Sequence, residues 1–296
     1  MIGAHYDHLG FGGEESLAPE SGEAHNGADD NASGTAALLE AARLVAARRE
    51  SLQRDVFFAA FTGEEKGLLG SSELARNPLP GMAPSGLVAM LNMDMVGRLR
   101  NNRVSVLGGD SAEEWREIVL PLCAELGLQC QLGGDGYGPS DQTPFYAAGV
   151  PVLHFFTGQH EDYHKPGDDS EKLNYDGMNL ISDYIFDVIS DLDNNGKLAF
   201  RKTKNESDET PRFKVGLGVV PDYLFDGEGM RIDGVSEEKP AQRAGLLKGD
   251  VVVRLGDSSV VDMMSYMRAL SVFEKGNKTK VKVIREGKEV EVDIEF

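Results

Sequence analysis

The chain has 296 residues, long for one core and comfortable for two domains of about 100–200 residues each. With 41% hydrophobic and 27% charged residues it has the make-up of a folded protein, which excludes wholesale disorder. Its 49 acidic residues against 30 basic ones give a formal net charge of −19, which argues against nucleic acid or an anionic membrane surface as the main partner. No stretch approaches the roughly 18 apolar residues of a membrane span. The two cysteines, Cys123 and Cys130, are too few for a disulfide framework or a thiolate zinc site and leave the redox compartment open.

In chain order, Ile2-Gly3-Ala4-His5 reads as the end of a buried strand. No charged n-region, apolar h-region or cleavage site precedes it, so this is not a signal peptide, and loss of upstream sequence is the expectation. Apolar runs at Val56–Phe61, Leu87–Leu91, Val104–Leu107 and Val152–Phe156 suit strands covered on both faces. Between them, Ser33–Arg48, Ala112–Leu126 and Tyr175–Leu192 carry helical patterns. This alternation predicts an α/β domain over residues 1–200, a mixed sheet flanked by helices.

Residues 201–211 are polar and read as a linker. Residues 212–296 change texture to short strands with one helix. Strands are expected at Lys214–Val220, Met230–Val235, Val251–Leu255, Lys280–Arg285 and Glu289–Ile294, and a helix at Val261–Leu270. A tight turn at Glu286-Gly287-Lys288 joins the last two strands.

All six histidines lie in the first 164 residues, so imidazole chemistry belongs to the first domain. His5 and Asp7 stand at i and i+2 on one face of an extended segment, where His5 can bind a metal and Asp7 orient it. Gly27-Ala28-Asp29-Asp30-Asn31 runs straight into a helix. Asp30 or Asn31 serves as its N-cap, which leaves Asp29 over for another role. Glu64 and Glu65 follow a Phe-rich strand directly, Asp94 ends another apolar run, and His164 follows the strand ending at Phe156. Each has an ordinary reading as a turn or solvated-loop residue. Jointly they fall where open α/β sheets place their ligands, beyond the carboxyl ends of strands. Two histidines and three carboxylates suit zinc, and five ligands with one shared carboxylate serve two ions. Asp141, in Ser140-Asp141-Gln142, is either a pocket wall or, more simply, a helix N-cap.

The ordered set GAHYDH, GADDNASG, TGEEKGLLGS, NMDMVG and YHKPGDD, spanning residues 3–169, resembles the co-catalytic zinc aminopeptidases, the clan of the bacterial leucyl aminopeptidases. The resemblance implies two zinc ions per chain, with His5 and Asp94 on one, Glu65 and His164 on the other, and Asp29 as the bridge. It implies Glu64 as general base, Asp7 as the partner of His5, and Tyr163 as a hydrogen-bond donor to the tetrahedral intermediate. The family often has a cis peptide after the bridging aspartate, here Asp29–Asp30. Its members carry a further strand and helix before the first histidine motif, so the strand bearing His5 is expected at an exposed edge. Full-length relatives are commonly exported.

Residues 212–296 resemble a PDZ domain of the bacterial protease-associated type, most clearly in Pro240-Ala241-Gln242-Arg243-Ala244-Gly245-Leu246. That resemblance implies that Val215-Gly216-Leu217-Gly218-Val219 holds a peptide C-terminus. Together these readings give a zinc exopeptidase fold, truncated at its N-terminus, followed by a PDZ-like domain. The expected reaction is hydrolysis of the first peptide bond of substrates with a free N-terminus. The rival readings are a glutaminyl cyclase-like acyltransferase and a non-catalytic peptide-binding protein.

Overall fold

A computed structural model of the protein describes residues 1–13, 15–203, 215–222, 225, 227–236 and 239–296. It divides into two units: residues 1–158 with 164–204, and residues 159–163 with 205–296.

The first unit is built on six strands: β1 (Ile2–His5), β2 (Phe58–Phe61), β3 (Met90–Met93), β4 (Arg103–Leu107), β5 (Gln129–Gly133) and β6 (Val152–Phe156), in the order β2-β1-β3-β6-β4-β5. The first four in that order run parallel, and β4 pairs antiparallel with β6. Its helices are α1 (Gly34–Ala47), α2 (Leu69–Arg76), α3 (Trp115–Glu125), α4 (Gln142–Ala147) and α5 (Tyr175–Asn194).

Period-two alternation sorts strand side chains onto two faces. Leu91, Met93, Leu153 and Phe155 join the larger core with residues of α1, α3 and α5. Met90, Val152 and Phe61 join Phe145 and Tyr146 of α4 in a second core, against which Leu74 of α2 packs. Both faces of the sheet are therefore covered, which is why its strands read as continuous apolar runs. Helix α5 buries Ile181, Ile185, Val188 and Leu192 along one stripe, and its N-cap Asn174 accepts the Gly177 N–H at 2.9 Å.

Several expectations need correction. Strand β1 lies between β2 and β3 and is wholly buried, so His5 stands on an interior strand rather than an exposed edge. The run at Leu87–Leu91 starts three residues early and ends two residues short of the strand itself, which is Met90–Met93. Strand β5 escaped notice because its polar sequence Gln-Cys-Gln suits a sheet edge; α2 and α4 are too short to show a period. Cys123 of α3 and Cys130 of β5 form a disulfide with each other. Arg201 and Thr203, read as linker, are pinned to the first unit: the Arg201 N–H donates to Ser111 O, and the Thr203 N–H to Tyr146 Oη at 2.7 Å. The rest of the expected linker, 204–211, and residues 212–214 lie outside the described residues.

The second unit carries β7 (Val219–Pro221), β8 (Met230–Val235), α6 (Pro240–Arg243), β9 (Val251–Leu255), β10 (Ser258–Ser259), α7 (Met263–Ser271), β11 (Lys278–Arg285) and β12 (Lys288–Glu295). The sheet order is β12-β11-β9-β8-β7, with β7 at one edge. Its separate core includes Leu217, Ile232, Val252, Tyr266 and Val281. Glu286 and Gly287, both at positive φ, make the two-residue turn between β11 and β12 that the sequence led us to expect.

Candidate metal centre

Parallel pairing brings the carboxyl ends of β1, β2, β3 and β6 side by side: His5 pairs with Phe61, Asn92 with His154, and Met93 with Phe155. The loops leaving these ends supply the site. His5 ends β1, Glu64 and Glu65 lie three and four residues beyond β2, Asp94 directly follows β3, and His164 lies eight residues beyond β6.

The two histidines are oriented alike. His5 Nδ1 lies 3.1 Å from the Asp7 carbonyl oxygen, and His164 Nδ1 lies 2.8 Å from the Glu15 carbonyl oxygen. A ring whose Nδ1–H is held by a carbonyl turns Nε2 toward the ligand side. His5 Nε2 is 3.4 Å from both Asp30 Oδ1 and Asp94 Oδ1. His164 Nε2 is 3.2 Å from both Asp30 Oδ2 and Glu65 Oε2. One carboxylate, that of Asp30, thus faces both imidazoles, one oxygen to each. Glu64 joins His5 and Asp94 in a group whose potential ligand atoms lie within 4.8 Å of one another.

The aspartate between the two groups is therefore Asp30, where Asp29 was expected. Asp29 is buried beneath it: its Oδ1 accepts the Gly97 N–H at 2.7 Å and the Ser33 hydroxyl at 3.0 Å. A Cβ on Gly97 would lie 2.8 Å from that oxygen, so glycine leaves room for the Asp29 carboxylate against its own N–H. Asn31 takes the capping work, its Oδ1 accepting the Gly34 and Met95 N–H groups. The cis peptide is Asp30–Asn31, one bond later than expected.

Asp168, which the motif YHKPGDD contains without a role assigned to it, organises this turn. Fully buried, its Oδ2 accepts the backbone N–H of both Asp29 (2.8 Å) and Asp30 (3.0 Å), while Arg98 pairs with its Oδ1 at 2.9 Å. Its only sequence signal was a second acidic pair, Asp168-Asp169, closing the His164 motif.

The other expected residues fall as follows. The Asp7 carboxylate is 3.8 Å from His5 Nδ1, farther than its own carbonyl; Asp7 Oδ1 instead accepts the Glu64 N–H at 3.2 Å and so ties the β1 and β2 loops together. Asp94 Oδ2 accepts the Ser140 hydroxyl at 2.7 Å. Asp141 precedes α4 but makes no side-chain cap; its carboxylate is buried, and that burial pushes it up to about 6. Tyr163 belongs with residues 159–163 to the second unit, where its N–H donates to His160 O. His164 and Met95 both take positive φ, a backbone strain that non-glycine residues bear chiefly at functional sites. In the PDZ-like unit, Leu217 points its side chain into the core, and its carbonyl accepts the Ala241 N–H.

Electrostatics follow from crowding charge where water is scarce. Burial opposes the charge on His5, but the Asp94 carboxylate drives it up to about 11. Burial likewise opposes the charge on His164, yet hydrogen bonding to Asp30 and Glu65 holds it at about 10. Against burial, His164 and His8 keep Glu65 down at about 2, and His5 keeps Asp94 at about 2. Asp30 is pushed up to about 6 by burial, and Glu64 to about 9 by burial and the charge of Asp94. A site that holds its histidines cationic and two of its carboxylates ionised is one in which divalent cations can replace protons.

A stability test follows. His5, His164 and Glu64 all bind protons more tightly folded than unfolded. What they contribute is complete below their unfolded values, 6.5 for the histidines and 4.5 for the glutamate, and is lost as pH rises toward about 9–11. Chelator-treated protein should therefore unfold at lower urea concentration at pH 9 than at pH 6.5; a midpoint that holds or rises across that interval contradicts the assignment.

Comparison with known proteins identifies the family. Residues 1–189 match the model of peptidase family M28, and residues 198–296 match the PDZ domain. Aminopeptidase YwaD of Bacillus subtilis (strain 168) is 30% identical over 194 residues, covering 62% of this chain and 39% of that protein. Leupeptin-inactivating enzyme 1 of Streptomyces exfoliatus is 35% identical over 148 residues, 49% of this chain and 32% of that protein. The structure of BSAP, a zinc aminopeptidase from Bacillus subtilis, superposes with a TM-score of 0.52 at 26% identity, over 69% of this chain and 46% of that one. The chain spans less than half the length of each of these relatives. With a family model matched across its first 189 residues, the chain belongs to peptidase family M28 and carries a PDZ domain behind the peptidase-like unit.

Proposed function

We propose that the first unit is a two-zinc aminopeptidase site. The observation that carries this reading is the Asp30 carboxylate, with one oxygen facing His5 and the other facing His164. Imidazole nitrogen and carboxylate oxygen make a donor set that fits zinc. His5, Asp94 and Asp30 would hold one ion, and Glu65, His164 and Asp30 the other. The zinc aminopeptidase and YwaD relatives support the metal and the reaction class. Two ligand groups sharing one carboxylate favour this reading over the cyclase alternative, which needs a single ion.

When bound, two zinc ions would acidify the attacking water and polarise the scissile carbonyl. The residues of the chain do the rest. Glu64, held through its backbone by Asp7, takes the proton from the water and passes it to the departing amine. Glu65 is then the ligand and Glu64 the base. Asp7, through its carbonyl, would keep His5 turned to the metal.

The test is Glu64→Gln, which keeps the size and removes the proton acceptor. Both zinc ions should stay bound while turnover of aminoacyl substrates falls by about 10²–10⁴. Loss of zinc together with activity would show that the two glutamates have exchanged roles.

For the second unit we infer capture of a peptide C-terminus by Val215–Val219, with the peptide adding a strand beside β7. The position of β7 at the sheet edge supports this. A labelled peptide with a free C-terminal carboxylate should bind at least about tenfold more tightly than its amide, the scale of a lost charge-assisted hydrogen bond. Equal anisotropy titrations for the two would remove the inference.

A further inference from the structure

Glu65 divides its two oxygens. Oε2 lies 3.2 Å from His164 Nε2, on the ligand side. Oε1 lies 2.8 Å from Nδ1 of His8, a residue that the resemblance gave no role. Because an ionised carboxylate only accepts, His8 Nδ1 is the donor. His8 Nε2 is buried and has no hydrogen-bond partner among the described residues, so the ring is tethered through Nδ1 alone. The ring is also held sterically. A Cβ on Gly27 would lie 2.7 Å from His8 Cγ and Cδ2, so the ring rests on the glycine turn that leads into Asp30. The His164 ring meets it edge-on, with centroids 5.9 Å apart.

We propose that His8 is a positioning residue for Glu65: its Nδ1–H fixes one carboxylate oxygen so that the other is presented to zinc. The inference rests on the two-zinc reading and adds a residue to it. A ligand with both oxygens loose can swing between one-point and two-point attachment. With Oε1 occupied by His8, Glu65 would offer zinc Oε2 alone, which would leave the ion room for the substrate or water. Gly27 contributes through the same packing, since the turn that presents Asp30 also seats His8. The two ligands of one ion, Asp30 and Glu65, are in this way set by a single imidazole lying between a turn and a carboxylate.

The experiment is a zinc competition titration against a chromophoric chelator on the full chain, comparing the native protein with His8→Ala and His8→Asn. Outer hydrogen-bond partners of metal ligands are worth about 10–100-fold in metal affinity. His8→Ala should raise the Kd of one zinc ion by about that factor and leave the other ion's Kd unchanged. His8→Asn, which keeps an N–H donor near the Nδ1 position, should recover most of the loss. The urea midpoint of the zinc-free protein should fall in His8→Ala, which leaves Glu65 Oε1 unpaired, and recover in His8→Asn, so the test rests on the difference between the two Kd values. Unchanged Kd values in His8→Ala would overturn the proposal, as would an equal loss at both sites. A native chain that takes up fewer than two ions refutes the two-zinc reading itself, a result visible before any variant is compared.

Discussion

Four carboxylates, Asp30, Glu64, Glu65 and Asp94, converge beyond the strand ends in a space with little water, and their mutual repulsion is what the surrounding structure must satisfy. Like charges at such distances cannot all remain ionised without cations among them. The chain provides for this twice over. His5 and His164 supply positive charge as imidazoliums, and the same nitrogen atoms, once deprotonated, have the lone pair that the proposed zinc ions would take up. Proton binding and metal binding therefore compete for one set of atoms.

Holding that repulsion in place requires anchorage outside the cluster, and the structure supplies it through buried hydrogen bonds. Asp168, neutralised by Arg98, grips the two backbone N–H groups beside Asp30; Asp29 grips Gly97; Asn31 ties the turn to Met93 and Met95. Each is a polar group that would be costly to bury alone. Each instead joins the turn to the loops after β3 and β6. Removing one partner leaves another unsatisfied, so the turn carrying Asp30 acts as a unit with the loop carrying His164.

Much of this was legible in the sequence. A buried strand announces itself as an apolar run or by alternation, so parallel β6 and the antiparallel β8 and β9 were bounded to the residue; polar β5 and short α2 and α4 lacked a pattern to read. His5, Glu64, Glu65, Asp94 and His164 converge in the fold because each sits just past a strand end, a position that sequence reports well. The Asp29–Asp30 pair was harder. Two adjacent aspartates offer the same chemistry, and which one faces the cluster depends on a turn fixed by Gly27 and Asp168, both tertiary or conformational facts. His8 and Asp168 were invisible for the same reason: each acts through a contact 57 residues or more away in the chain.

The account stands most directly on the zinc content of the native chain beside that of Asp30→Ala, both reconstituted with zinc, freed of loose metal by dialysis and measured by elemental analysis. Two ions per native chain, falling below one in Asp30→Ala because the shared carboxylate serves both groups, is the result it predicts. A native chain that holds a single ion, or an Asp30→Ala protein that keeps two, would contradict it.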